Sequence, residues 1–110
     1  MSVYLIAMVR VDDPDTYSKY TALTPGIIEK HGGRFIVRGG PVETIEGEAF
    51  KDRIVIVEFP NAEALKTFYA SQEYQKAMVH RQASSKATFL LVEGVEPGVT
   101  APEGRVVKSG

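Results

Sequence analysis

Stretches of strand-like apolar residues alternate along the chain with stretches of helical periodicity. Residues 3 to 11, 34 to 38, 53 to 59 and 87 to 93 are rich in β-branched and aromatic side chains, which is typical of strands. Apolar residues at helical spacing fill the segments that follow the first and the third of these strands. The order β-α-β-β-α-β predicts an α+β, ferredoxin-like fold with an antiparallel sheet and both helical segments on one face.

Helix boundaries are indicated by residues that cap helices. Asp13 is a good N-cap and Pro14 a favoured first helical residue, so the first helix should begin there and end near His31. Pro25 lacks the donor for the carbonyl group four residues earlier. We therefore expect a kink at this point, or a restart of the helix capped by Thr24.

The remaining segments are assigned in the same way. Asn61 and Ser71 are N-cap residues, so residues 61 to 83 should form two helical pieces or one broken helix. Residues 42 to 45 are expected to continue the second strand after a bulge. The domain should span residues 1 to 95, and residues 96 to 110, which lack periodicity, should form an extended or disordered C-terminal tail.

The predicted strands are apolar on both faces. In the third strand, Ile54 and Ile56 should point one way while Val55, Val57 and Phe59 point the other, and the first and last strands repeat this pattern. Helices on one face cannot cover both sets of side chains. We expect a homodimer in which the sheets pack face to face as a dimeric α/β barrel, with about 800 Å² buried per partner.

Charge and composition exclude several functions. The chain of 110 residues has 13 Lys and Arg against 14 Asp and Glu, a net charge of -1, so no positive field favours nucleic acid. It has no cysteine, which excludes disulfides, thiolate nucleophiles and sulfur-ligated zinc. The apolar start lacks signal-peptide features, and no segment approaches the roughly 20 apolar residues of a membrane span. We expect a cytoplasmic protein with neither a nucleic-acid nor a membrane partner.

Several short motifs together resemble one family. They are the segment HGGRFIVRGG from His31 to Gly40, Glu46-Gly47, the strand from Arg53 to Pro60, Phe68-Tyr69 with Ser71, Glu73-Tyr74, Arg81, and Val92-Glu93-Gly94. From about Tyr4 to Val95 the chain resembles the uncharacterised family called domain of unknown function 1330. The resemblance implies a dimeric α/β barrel and implies no activity, because none is generally assigned to the family. Proteins similar in architecture include cofactor-free monooxygenases, muconolactone isomerase-like enzymes, haem-handling proteins and stress-response barrels, so the fold gives only a class-level analogy.

Three residues near the end of the first helix are candidates for chemistry. His31 is the best candidate for a catalytic acid or base, and the alternative is a helix-end cap. Arg34 and Arg38 lie four apart in a strand and should share one face, where they could bind a carboxylate or phosphate. In a ligand site these three side chains would meet at a common cavity. The two arginines could equally form ion pairs at the rim of the sheet, with Glu43, Glu58 or Glu93.

Tyrosines from both helical regions are the remaining candidates. Tyr20 and Tyr74, together with Tyr17 and Tyr69, could meet between helices and sheet and bind an aromatic ligand, although tyrosines at helical spacing are more often simply core. The two histidines lack the spacing of metal ligands, so we expect no metal and no cofactor.

Two functions therefore remain open. In the first, the protein binds a small aromatic or acidic metabolite and could act as a cofactor-free enzyme, with His31 as acid or base and Arg34 or Arg38 orienting an anion. The alternative is a non-catalytic dimeric binding or stress-associated module, in which packed tyrosines fill the pocket.

Overall fold

The computed structural model describes residues 2–95, which form a four-stranded antiparallel sheet with helices on one face. The strand order is β2-β3-β1-β4, so β1 and β3 are central, as a ferredoxin-like topology requires. The predicted fold class is confirmed, and the predicted tail, residues 96–110, lies outside the described residues. The elements in chain order are β1 (Val3–Val11), α1 (Pro14–Lys30), β2 (Arg34–Arg38), β3 (Arg53–Phe59), α2 (Ala62–Ala70), α3 (Gln72–Ser84) and β4 (Ser85–Glu93).

The core lies between the helices and one face of the sheet. Every second residue of β1 is buried, and Leu5 lies between Val57 of β3 and Leu91 of β4. Helical aromatic rings complete this core, with Phe68 packed 4.6 Å from Tyr74 between ring centroids. Large buried side chains therefore fill most of the space between the helices and the sheet.

The predicted helix caps are present. The Asp13 carboxylate accepts a hydrogen bond from the Thr16 backbone N–H at 3.3 Å, and the Asn61 side chain accepts one from the backbone N–H of Ala64 at 2.8 Å. Ser71 separates α2 from α3 and accepts a hydrogen bond from the Tyr74 backbone N–H at 3.1 Å. Residues 62–84 are therefore two helices, one of the two arrangements predicted from the sequence.

One of the two alternatives expected at Pro25, a restart of the helix capped by Thr24, is wrong. The helix is unbroken from Pro14 to Lys30 and does not restart at Thr24, which is itself buried in the core. Pro25 removes only one hydrogen bond, and the buried side chains of Tyr20 and Ile27 hold the helix to the sheet on both sides of it. The free energy gained by burying the apolar side of α1 outweighs the loss of this one backbone hydrogen bond.

The predicted continuation of β2 is also wrong. After Arg38 the chain turns at Gly39, whose φ of +70° lies in the left-handed region, and residues 40–52 form no strand. The Gly39 N–H donates to the carbonyl oxygen of Ile54 at 2.9 Å, close to the start of β3 at Arg53. Beyond that point β3 offers no further residues to pair with, so Ile45 extends into solvent, 86% exposed.

Candidate functional site

A β-bulge puts the two arginines of β2 on opposite faces of the sheet. Arg34 lies opposite Glu58, but Arg38 lies opposite Val55, because the register shifts by one residue at Ile36. Val55 packs against the helical core, whereas Glu58 belongs to the opposite face. The expectation that Arg34 and Arg38 share a face is wrong, since one inserted residue exchanges the two faces of a strand.

Arg34 forms the rim ion pair that the sequence offered as an alternative. Its Nε donates to Oε1 of Glu58 at 2.7 Å. Hydrogen bonds from Ser2 and from Arg34 hold the pKa of Glu58 below its ordinary value. A shallow hollow beside this pair is open to solvent and is lined partly by Pro60. The guanidinium of Arg34 therefore already has a carboxylate partner.

His31 closes the end of α1. Its Nδ1 lies 2.8 Å from the carbonyl oxygen of Ile27, and its ring stands at 69° to the ring of Phe68, with 5.9 Å between ring centroids. Arg38 lies near the opposite end of the helix, beside Thr21. Ten residues of helix, about 15 Å at 1.5 Å per residue, separate Thr21 from His31. The structure therefore does not bring His31, Arg34 and Arg38 to a common cavity.

A small apolar cavity lies between the helices and the inner face of the sheet. Its volume is about 40 Å³, and most of its wall is aliphatic or aromatic. The polar groups in the wall come from α1 and from the ends of β2 and β3. The lining residues are Leu5, Ala7, Val9, Tyr17, Tyr20, Thr21, Thr24, Ile28, Phe35, Arg38, Arg53, Val55, Val57, Phe68 and Phe89.

An open hollow of about 490 Å³ adjoins this cavity near the start of α1. Cavity and hollow share four lining residues, Tyr17, Thr21, Arg38 and Arg53, which we call the mouth. The rest of the hollow is formed by Val11, Pro14 and Ser18. Among the described residues, no Asp or Glu lines either the cavity or the hollow. The mouth is therefore a positively charged entrance to an apolar space.

Arg53 is a mouth residue that sequence reasoning missed, because it was counted only as the first residue of a strand. Its guanidinium lies over the Tyr17 ring, with Cζ 5.8 Å from the centroid, and close against Gly39. Its Nε is buried and has no hydrogen-bond partner among residues 2–95. Arg38 stacks nearby on Phe35, with Cζ 4.5 Å from the ring centroid.

Tyr20 and Tyr74 do meet, as the sequence suggested. Their hydroxyl oxygens are 2.8 Å apart, and burial raises the pKa of both phenols. Tyr20 forms part of the cavity wall, whereas Tyr74 is fully buried behind it. Tyr69 lies outside this pair, on the exposed side of α2, where its hydroxyl donates to Sδ of Met78. Both hydroxyls of the pair are thus neutral donors and acceptors near neutral pH.

Arg81 is a second arginine whose position the sequence did not reveal. It is only 7% exposed, and its Nε has no hydrogen-bond partner in the described part of the chain. Its guanidinium Cζ lies 4.3 Å from the centroid of the Phe89 ring and 5.9 Å from that of Tyr20. Both rings line the cavity, so a buried positive charge stands directly behind the cavity wall.

The sheet face opposite the helices is a second candidate surface. The strand register puts eight apolar side chains on this face, and no described helix covers them. We call this set the outer face: Tyr4, Ile6, Met8, Val37, Ile54, Ile56, Leu90 and Val92. The alternation predicted for the strands is thereby confirmed. Between Ser2 and Val95, no helix is long and apolar enough to cross a bilayer, and no three His, Asp or Glu side chains come close enough to hold a metal ion.

The topology and the open sheet define an α+β protein of the ferredoxin-like class. The chain belongs to the family described as domain of unknown function DUF1330, whose family model matches residues 2–95. This match confirms the family suggested by the sequence motifs. A comparison with curated proteins finds no match.

Solved structures with the same fold come from several bacteria. A protein of unknown function from Rhodopseudomonas palustris is 19% identical, with 87% of this chain and 84% of that chain covered and a TM-score of 0.73. A dimeric ferredoxin-like protein of unknown function from Jannaschia sp. CCS1 is 18% identical, with 86% and 100% covered and a TM-score of 0.69. SnoaB, a cofactor-independent oxygenase from Streptomyces nogalater, is 16% identical, with 88% and 96% covered and a TM-score of 0.64. At these identities the similarity establishes the fold alone.

Proposed function

We propose that this protein is a homodimer in which each subunit binds a small anionic metabolite at the cavity between helices and sheet. The observation that carries the proposal is the mouth, where two guanidinium groups, those of Arg38 and Arg53, flank the entrance to an apolar space. The described lining residues provide no carboxylate to neutralise them. A carboxylate or phosphate from solution is the natural partner of such a pair.

The buried Nε of Arg53, which lacks a hydrogen-bond partner among the described residues, supports this assignment. A buried N–H group without an acceptor is unfavourable, because it has lost its hydrogen bonds to water. The Nε of Arg53 is such a group, and an anion bound at the mouth would supply its acceptor. Nε and one Nη of a guanidinium together bind both oxygens of a carboxylate.

The cavity volume favours a short aliphatic acid over an aromatic one. An apolar cavity that holds benzene has a volume of about 150 Å³, whereas this cavity has about 40 Å³. About one or two methylene or methyl groups fit inside, since one water molecule already takes about 30 Å³ in the liquid, while an aromatic ring would have to remain in the open hollow or displace side chains. The ligand we propose is therefore a short-chain carboxylate with its charged group at the mouth.

The ionisable groups of the wall favour binding over acid–base catalysis. They are Tyr17, Tyr20, Arg38 and Arg53, and burial raises the pKa of both tyrosines further above neutrality. His31, the candidate acid or base, is not part of the described lining. A general acid or base works best with a pKa near the operating pH, and this wall offers none. The cofactor-free enzyme is thus the less favoured of the two functions.

The outer face supports the homodimer. Its eight apolar side chains form a contiguous patch on three neighbouring strands and the end of a fourth. Patches of this extent usually mark an interaction surface. A second copy with the same patch would cover it symmetrically, and about 800 Å² per subunit is the usual size of a stable interface. The Jannaschia protein, which has this fold, is itself dimeric.

Calorimetric titration with acetate, propanoate, butanoate and benzoate tests the binding function. We expect a short aliphatic acid to bind the wild type more tightly than benzoate. Arg38→Ala and Arg53→Ala should each weaken its binding by at least about tenfold, the loss of a charge-assisted hydrogen bond. Arg10→Ala, which removes an exposed arginine paired with Asp12, is the matched control and should bind normally. Absence of binding by the wild type, or equal affinities of all variants, would refute the proposal.

A further inference from the structure

The bulge in β2 brings two side chains that are three residues apart onto the same face of the sheet. Phe35 lies opposite Val57 of β3. Arg38 lies opposite Val55, the next residue of β3 on the same, helix-facing side. In a regular strand, residues three apart point to opposite faces. The extra residue, Ile36, therefore makes Phe35 and Arg38 neighbours on the inner face of the sheet.

The guanidinium group of Arg38 lies over the ring of Phe35, with Cζ 4.5 Å from the ring centroid. Cations within about 6 Å of a ring centroid are attracted to the face of the ring. Arg38 is exposed, and no carboxylate among residues 2–95 forms an ion pair with it. In the described part of the chain, the Phe35 ring is therefore the group that holds the charged end of Arg38 in place.

The ring of Phe35 is itself fixed by the core. Phe35 is half-buried, packs against the core cluster and lines the cavity. Its contact with Arg38 thus ties an exposed, flexible side chain to the cavity wall. A long side chain that a ligand must first order loses conformational entropy on binding, which lowers the affinity. A guanidinium that is already ordered at the mouth avoids this loss.

The second guanidinium of the mouth is held in a similar way. Arg53 lies over the ring of Tyr17, with Cζ 5.8 Å from the centroid, and Tyr17 also lines the cavity. Both charged groups of the mouth therefore rest on aromatic rings of the same wall.

We propose that Phe35 is a positioning residue that holds the Arg38 guanidinium at the mouth before a ligand binds. This inference rests on the proposed function, because it assumes that a carboxylate binds at the mouth. Arg38 contacts the carboxylate, and Phe35 acts only through Arg38 by restricting the orientations of its side chain. The bulge at Ile36 is a requirement of this arrangement, because it puts the ring and the guanidinium on one face.

NMR relaxation of the Nε–H group of Arg38 measures this positioning without any ligand. The order parameter of the group should fall in Phe35→Leu, which removes the ring, and stay at the wild-type value in Phe35→Tyr, which keeps it. Phe89→Leu is the matched control, because Phe89 is also half-buried and lines the same cavity but stacks on Arg81. It should leave the order parameter of Arg38 unchanged.

NMR titration with acetate, propanoate and butanoate measures the consequence for affinity. Phe35→Leu and Phe89→Leu each remove one ring from the cavity wall, so a loss of affinity that both variants share comes from the wall. Phe35→Leu should bind about two- to fivefold more weakly than Phe89→Leu, the size of an exposed cation–π interaction. Phe35→Tyr should bind as the wild type does. Phe35→Met, which also lacks a ring, should repeat the result of Phe35→Leu.

Other outcomes separate the two proposals. If the order parameter of Arg38 is the same in Phe35→Leu, Phe35→Met and the wild type, the positioning role is overturned while the proposed function stands. If the order parameter falls but these variants bind the acids as tightly as Phe89→Leu does, the positioning role is likewise overturned. If the wild type binds none of the acids, both proposals are refuted. Circular dichroism of each variant establishes that it is folded.

Discussion

The guanidinium group of Arg53 occupies the space that a side chain at position 39 would need. A Cβ atom built on Gly39 would overlap Nη1 and Cζ of Arg53, so only glycine permits this arrangement. The φ of +70° at Gly39 adds a second reason, because residues with a Cβ rarely adopt it. Gly39 therefore acts as a positioning residue that holds Arg53 at the mouth.

Gly39→Ala should consequently reduce both stability and anion binding. The left-handed backbone conformation costs an alanine about 1–2 kcal/mol in the free energy of unfolding. The added methyl group should also displace Arg53 and weaken binding of a short carboxylate by about tenfold, as Arg53→Ala does. Denaturant unfolding and calorimetric titration measure the two effects separately.

Gly47→Ala is the matched control for backbone strain. Gly47 also has a positive φ, +97°, but a Cβ there would meet no atom within 4 Å. This variant should lose a similar amount of stability and keep its ligand affinity. Equal affinities of Gly39→Ala and wild type would contradict the positioning role of Gly39.

Aspartate substitutions on the two faces of β3 should have different consequences. Ile56 belongs to the outer face, and Ile56→Asp should convert the proposed dimer to a folded monomer of about 12 kDa, because a carboxylate without a partner is unfavourable in an apolar interface. Val55 points to the cavity and core, so Val55→Asp should destabilise the subunit itself. Light scattering gives the mass, and circular dichroism reports folding.

Ile45→Asp provides the control for that experiment. Ile45 is as apolar as Ile56 but lies in the exposed loop after β2, away from both faces of the sheet. The Ile45→Asp variant should have the same mass in solution as the wild type and remain folded. A wild-type protein that is monomeric at micromolar concentration would rule out the proposed interface.

Low pH should destabilise the folded protein partly by protonating Asp13, the N-cap of α1. Hydrogen bonds from Thr16 lower the pKa of Asp13 below its ordinary value of 3.8. A carboxyl group whose pKa is lowered by folding stabilises the protein above its ordinary pKa, and that contribution disappears as the pH falls through the folded-state value. Thermal unfolding should therefore show a contribution from Asp13 at pH 7 and at pH 5 that declines as the pH falls below 3.8.

Asp13→Asn isolates this contribution. Asparagine caps helices as well as aspartate does, so the melting temperature at pH 7 should change by only a few degrees. The decrease in melting temperature between pH 5 and pH 3 should be smaller in this variant than in the wild type. Asp52→Asn, in the loop and without a described ion pair, should leave the decrease unchanged. An identical acid profile for Asp13→Asn would argue against the role of this cap.

The sequence predicts the fold well because its signals are local. The cap at Asp13 and the alternation from Ile54 to Phe59 depend on neighbouring residues, and both appear in the structure as expected. The site depends on register and on contacts between distant residues. No local signal distinguishes the bulge at Ile36 from regular strand, and nothing in the spacing of Arg81 indicates that it lies behind the ring of Phe89. These are tertiary relationships, which periodicity does not encode.

The single extra residue at Ile36 also affects how relatives of this chain should be compared. A relative with the same four-residue spacing between its arginines but no bulge would carry the second arginine on the outer face of the sheet. An arginine aligned with Arg38 then does not show that a relative binds the same class of ligand. The spacing of the two arginines together with the presence or absence of the bulge is the more informative character, because the two together decide which face of the sheet the second arginine occupies.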